Sequence, residues 1–418
     1  GLMLPVQGAS FQLLGLSGET SGGASAISGN GNVVVGTSVN GAVQTAYIYY
    51  RNTDTYVTIP AEVSGDSSVG LGVNWDGSVI VGTAENRING TLSSRKFQAF
   101  TYTPGDSGFT ILGGLVDTSS SLSISRAYAV SGSSATAGVV AGGSSRSRFS
   151  DRPYIITDAI TGGSMTNWGG LVNTSSGAQA LAINPTGTIV VGYSDRTLDV
   201  YRPNRAFRLD ITNPSNVPQG LGGLPGGDYD SEANDLTDDG KIVVGWSFSN
   251  SGGQPLSMDA FYWVDDGSSN PDGSIGTMIG LGDLPYGEFW AEATGVSADG
   301  RVVVGQGRGV EYADNAGADR AAVWFMDPDN PTSVEPVELS SLLTEVMVGY
   351  EDYRLVRATG VSPDGTVITG IARHIVDGAD IAFVATIPAL VPEPAVIGAF
   401  SAVGLMLFAF VRRRRRAE

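Results

Sequence analysis

Ala293-Thr-Gly-Val-Ser-Ala-Asp-Gly300-Arg-Val-Val-Val-Gly305 is a stretch that returns, with small changes, throughout the chain. The Asp-Gly pair marks a tight turn whose glycine accepts positive φ, and the flanking β-branched residues favour strands, so each copy reads as a β-hairpin. Five further copies are clear. They run from Ala24 to Gly36, Gly70 to Gly82, Ala180 to Gly192, Ala233 to Gly245 and Ala358 to Gly370. A degenerate copy spans Ala127 to Gly142; its turn carries three extra residues and no Asp-Gly, which predicts a distorted hairpin.

A third strand follows each hairpin, as at Ala206-Phe207, Ala260-Phe261 and Ala382-Phe383. A fourth is expected at the Leu-Gly-x-Leu blocks, such as Gly220-Leu-Gly-Gly-Leu224 and Gly280-Leu-Gly-Asp-Leu284. Four short strands repeated seven times predict an all-β, seven-bladed β-propeller over residues 1–390. The last copy has no fourth strand after Ile387, whereas Phe11-Gln-Leu-Leu-Gly-Leu16 stands at the N-terminus with no strands before it. Pairing the two would complete the seventh blade and leave the ring without an open edge. A β-solenoid or two β-sandwiches would leave that N-terminal strand unexplained.

Composition narrows the chemistry. The chain has 59 Gly in 418 residues, about twice the usual share, which suits a fold made of turns. It contains no Cys and a single His, His374. Thiolate catalysis and Cys-based metal sites are thereby removed, and a Ser-His-Asp triad or multi-His zinc centre is improbable. His374 is expected in a loop without catalytic duty. The formal charge of −18 argues against nucleic acid as a partner. Asp228, Asp230 and Glu232 offer oxygen ligands of the kind Ca2+ takes, but their spacing lacks an EF-hand frame. No metal or cofactor is therefore expected.

The tail is of a different kind. Pro392-Glu393-Pro394 precedes Ala395 to Val411, 17 uncharged residues, and then Arg412, Arg413, Arg414, Arg415 and Arg416. As a helix the apolar run would reach about 25 Å, the short end of a bilayer crossing. Arginines resist transfer through hydrocarbon, so residues 391–418 read as a transmembrane helix with a cytoplasmic stop, leaving the repeats on the far side. A buried C-terminal helix with a basic cap is the alternative. These three parts resemble the PEP-CTERM sorting signal of Gram-negative bacteria. The resemblance implies export, recognition near Pro392-Glu393-Pro394 by an exosortase-type membrane protease, loss of the helix, and release to the cell surface or an extracellular polysaccharide matrix. It also implies an N-terminal secretion signal, expected to have been removed or to lie outside this sequence, since Gly1 is not an initiating Met.

The repeat itself resembles the HAF family of extracellular repeats, through Ser-Ala-Asp-Gly-Arg-Val-Val-Val-Gly305, Asp259-Ala-Phe-Tyr-Trp263 and Leu281-Gly-Asp-Leu284. That family implies an exported, envelope-associated protein and no established reaction.

A site is expected on the face carrying the second-to-third-strand loops and the blade connectors, because those loops are the longer ones. They hold Arg87, Arg95, Lys96, Arg146, Arg148, Arg152, Arg196, Arg202 and Arg205, while the connectors carry Asp228, Asp230, Glu232, Glu288, Glu292, Glu351 and Asp352. The arginines could form a cationic rim for an anionic polysaccharide, or simply pair with those carboxylates. Tyr229, Tyr286, Phe289, Trp290, Tyr350 and Tyr353 could serve as platforms for sugar rings or as packing between blades. The function expected is a non-enzymatic surface or matrix protein associating with exopolysaccharide or other surface components. The alternatives are an extracellular glycan-active enzyme, either a carboxylate hydrolase or a Tyr/Arg lyase, and a nutrient-binding or signalling propeller.

Overall fold

The computed structural model describes residues 8–388, apart from 62–64, 88–94, 115–123, 134–137, 146–150, 157–164, 172–176, 196–203, 214, 228–229, 254–256, 286, 288, 310–318 and 333–335. Residues 1–387 and 388–418 separate into two compact units. The tail helix at 395–411, Pro392, Glu393, Pro394 and Arg412 to Arg416 lie outside the described residues. Among those described, no helix is long and apolar enough to cross a membrane.

The first unit is an all-β propeller of seven four-stranded antiparallel sheets. The first strands, Ser21–Ile27, Ser68–Val73, Ile124–Val130, Ala178–Ile183, Ser231–Leu236, Ala291–Val296 and Tyr353–Val361, each begin one blade, here numbered 1 to 7. The seventh closes as the orphan strand predicts. Ser10–Leu14 pairs antiparallel with Asp380–Thr386, placing Phe11 opposite Ala385 and Leu14 opposite Ala382.

The hairpin turns show why the repeat has its residues. In six copies the residue five places before the valine run accepts a backbone N–H, as Ser28 does from Val33 and Asn184 from Ile189, both at 2.9 Å. Asp299 accepts the Arg301 N–H at 3.0 Å, and Asp364 that of Thr366 at 3.0 Å, which fixes the turn from inside. Only the glycine is left-handed, at φ +74° in Gly300, so the turn is a four-residue loop and not a two-residue one. In the degenerate copy Ser131 Oγ still accepts the Val139 N–H at 2.9 Å. Together with the bond from the Ser131 N–H to Val139 O at 2.9 Å, this closes the copy at the same place as in the others.

Second strands are covered on both faces by neighbouring blades, which is why they read as unbroken valine runs. Val303, Val304, Val323 and Trp324 are fully buried in blade 6. Two expectations change. In blades 4 and 5 the Leu-Gly-x-Leu blocks follow the fourth strand instead of forming it, whereas in blade 2 the strand Thr110–Gly113 takes in the start of its block; the strand in blade 5 is Ile275–Gly280, and Leu281 and Leu284 beyond it plug the junction with blade 6. The second-to-third loops are also shorter than expected where the strands run on. Blade 1 joins Val33–Asn40 to Val43–Tyr50 through Gly41 and Ala42 alone.

Candidate functional site at the central channel

Each first strand carries a β-bulge at one repeat position, for example between Ala24 and Ala26 and between Ala293 and Gly295. The extra residue is unopposed and re-aimed, here toward the axis. Ser25, Leu71, Tyr128, Leu181, Asn234, Thr294 and Thr359 thus line a central cavity of about 400 Å³. Blades 2 to 4 contribute Leu71, Tyr128 and Leu181, an arc with one hydroxyl. Blades 5 to 7 contribute a polar arc that ties each blade to the next. Asn234 Nδ2 donates to Ala293 O at 2.9 Å, Thr294 Oγ1 to Ala358 O at 2.6 Å, and Thr359 Oγ1 to Ala24 O at 2.9 Å.

Charge gathers along the polar arc. Glu292 Oε1 accepts from Asn234 at 3.0 Å and from Arg357 at 3.3 Å, while Oε2 accepts from Gln306 at 2.7 Å. Arg357 Nε is buried and has no partner among the described residues. Glu232 accepts from Asn204 Nδ2 at 2.7 Å; burial raises its pKa, with Glu292 and Asp230 adding repulsion. Asp230 accepts the Asn204 N–H at 2.7 Å and is likewise raised by burial. These two carboxylates therefore serve Asn204. Among the described residues no three His, Asp or Glu side chains converge as metal ligands.

Asp235 lines the same cavity, at a position filled by Ala26, Gly72, Ala129, Ala182, Gly295 and Gly360 in the other blades. Its Oδ2 accepts the Val296 N–H at 2.9 Å, yet burial pushes its pKa to about 7. Below about pH 4 this carboxyl is neutral in both folded and unfolded chains. Between there and pH 7 the folded chain keeps a proton that the unfolded chain releases, so stability falls as pH rises. Asp235→Asn keeps the acceptor and removes the penalty. The variant is expected to be about 1–3 kcal/mol more stable than the parent at pH 8 and equal to it near pH 4, measured by urea unfolding. Equal stability at both pH values would contradict an ionisation penalty at this site.

The residues singled out from sequence divide three ways. Tyr229, Tyr286 and Arg202 lie outside the described residues. Tyr350 stands edge-on to Phe11 at 5.0 Å, Tyr353 lies 5.1 Å from His374, and Trp290 lies 5.6 Å below the Arg308 guanidinium, so these three rings pack against other groups. Arg205 is buried against Asp272 of blade 5, the pairing alternative and not a cationic rim. Phe289 is the one exposed ring among those of them that are described, held at φ +51° by a bond from the Met258 N–H to its carbonyl. His374 ends a strand, Val367–His374, instead of lying in a loop, and its Nδ1 is 2.8 Å from Asp377. The channel residues escaped sequence reading because their repeat position is the variable one. That variability inside a regular frame was the available signal.

No protein-family model matches the chain, and no curated protein matches it. Solved structures do. An oligogalacturonate lyase from Vibrio parahaemolyticus is similar at 12% identity and a TM-score of 0.52, covering 92% of this chain and 98% of that one. An oligogalacturonate lyase in complex with manganese is similar at 13% identity and a TM-score of 0.50, covering 91% and 96%. At these identities the likeness is one of fold, and it places the chain among β-propellers.

Proposed function

We propose that this chain is an exported, non-enzymatic propeller of the bacterial cell envelope or extracellular matrix that binds polysaccharide or other surface components at its channel mouth. The tail's likeness to a PEP-CTERM signal and the repeat's likeness to HAF repeats support export, with 395–411 as a transient anchor and an exosortase-type protease as the processing partner. The observation that carries the binding reading is the Glu292 cluster. Its carboxylate is held by Asn234, Gln306 and Arg357, a fixed set of donors and acceptors suited to hydroxyls. A carboxylate so engaged is a poor general acid or base.

The test is a glycan-array screen, with and without Ca2+, joined to mass spectrometry of the protein recovered from cells. Binding to at least one polysaccharide class, weakened in Glu292→Ala, and a chain ending before residue 395 are expected. No glycan bound and an intact tail would contradict the proposal. The cavity, with Tyr128 and Arg357 on its wall, keeps a glycan-active enzyme as the second reading. Unsaturated uronates released from polygalacturonate would establish that reading in place of the first.

A further inference from the structure

Beside the channel lies a second cavity of about 360 Å³, between blades 1, 2 and 3. Leu71 and Tyr128 line both cavities. Arg126 of the blade 3 first strand lines the second one, two residues before Tyr128 and so on the same face of the strand up to the bulge. It is half-buried.

Arg126 contrasts with six arginines of the blades that are paired with carboxylates, and with Arg51, whose guanidinium donates to Gly31 O and Thr386 Oγ1. Arg205, Arg208, Arg301, Arg320, Arg357 and Arg373 each lie within 4.0 Å of a carboxylate. Arg126 makes no ion pair, and its guanidinium donates no hydrogen bond, among the described residues; only its backbone carbonyl is engaged, by Tyr154 Oη at 2.9 Å. The chain carries 42 acidic residues against 24 basic ones, so carboxylates are not scarce. A guanidinium with no carboxylate among the described residues, half out of water and facing a cavity, is suited to hold an anion.

The remaining wall sets the kind of anion. Phe97, Val69 and Leu71 are apolar and suit the face of a pyranose ring, while Gln44 brings an amide with no side-chain partner among the described residues. A bare inorganic anion would have no use for that apolar wall. The geometry points to a uronic acid residue of an acidic polysaccharide as the occupant, its carboxylate paired bidentately with Arg126 and its ring against Phe97 and Leu71. This deepens the binding reading above and rests on it. The occupant would lie beside the channel, whose Glu292 cluster stands on blades 6 and 7.

The experiment is isothermal titration of the full chain in mild detergent with a galacturonate pentamer, its methyl ester, a neutral galactose pentamer and inorganic sulfate. The acid pentamer is expected to bind, the ester and the neutral pentamer to bind at least about 10-fold more weakly, and Arg126→Gln to lose about 10- to 100-fold for the acid alone. Arg126→Lys should recover part of that loss. Melting temperatures within about 2 °C of the parent show that the variants are folded; should Arg126→Gln not fold, the comparison of acid with ester decides in the parent chain. Equal binding of acid and ester, or an Arg126→Gln chain that binds as the parent does, overturns this proposal. Binding of the neutral pentamer alone overturns it while leaving the general glycan reading intact. Sulfate bound through Arg126 with no saccharide bound overturns the uronate assignment, leaving an inorganic-anion site, while the glycan reading stands or falls on the array.

Discussion

A chain lacking residues 1–16 is expected to lose the closed ring. Strand Ser10–Leu14 supplies the outer strand of blade 7 and contacts on both sides of the closure. Phe11 sits between Tyr350 at 5.0 Å and Phe383 at 5.9 Å, and Leu14 is fully buried. Gln12 reaches blade 1, accepting from Tyr49 Oη at 2.8 Å and donating to Asp54 at 3.0 Å. Burial of Phe11, Leu13 and Leu14 is worth about 4–6 kcal/mol, a large part of the 5–15 kcal/mol that separates folded from unfolded proteins. Deletion also bares the edge of Asp380–Thr386, an invitation to pair with other chains. The melting temperature should fall by at least about 10 °C, and size-exclusion chromatography should show oligomers. A synthetic peptide of residues 8–17 should restore the monomer. A truncated monomer that melts like the parent would mean the ring does not depend on its ends.

The second large effect is expected at the glycine that ends each valine run. A Cβ on Gly245 would overlap the carbonyl oxygen of Glu232, on the strand that carries the bulge, and would press on Phe261. The same collision with the preceding strand's carbonyl recurs at Gly192 with Gln179, at Gly305 with Glu292 and at Gly370 with Arg357. Backbone cannot move aside as a side chain can, so Gly245→Ala should cost about 3 kcal/mol or more, the upper end for overpacking. Gly360→Ala is the control. Its Cβ would meet nothing closer than 3.5 Å, and Ala26, Ala129 and Ala182 already occupy that repeat position. Its change should stay within about 0.5 kcal/mol. Urea unfolding of both variants measures the contrast, and similar losses would remove the bulge as the reason for the glycine.

Blade number, hairpin turns and ring closure were legible in the sequence because each depends on local chemistry repeated seven times. A hydroxyl or amide before the turn and, in most copies, an Asp or Asn and a left-handed glycine within it form one hydrogen-bonded unit that needs no distant partner. The unpaired N-terminal strand could be assigned by counting alone. The candidate site was less accessible. Arg205 looked like a surface base because no residue near it in sequence reveals Asp272, 67 positions away and in another blade. Tyr350 and Tyr353 looked like platforms for the same reason: Phe11 covers one from the far end of the chain.

Periodicity along the chain by itself determined a wheel of four-stranded sheets sealed by its two ends, since hydrogen bonding within a turn and pairing between strands act at short range or by simple count. Which side chains meet at the axis was decided only by the tertiary structure. A bulge changes the facing of one residue per strand, and seven strands far apart in sequence must converge before Asp235 and Arg357 share a wall, Glu292 meets that arginine, or Arg126 faces a cavity with no counter-charge among the described residues.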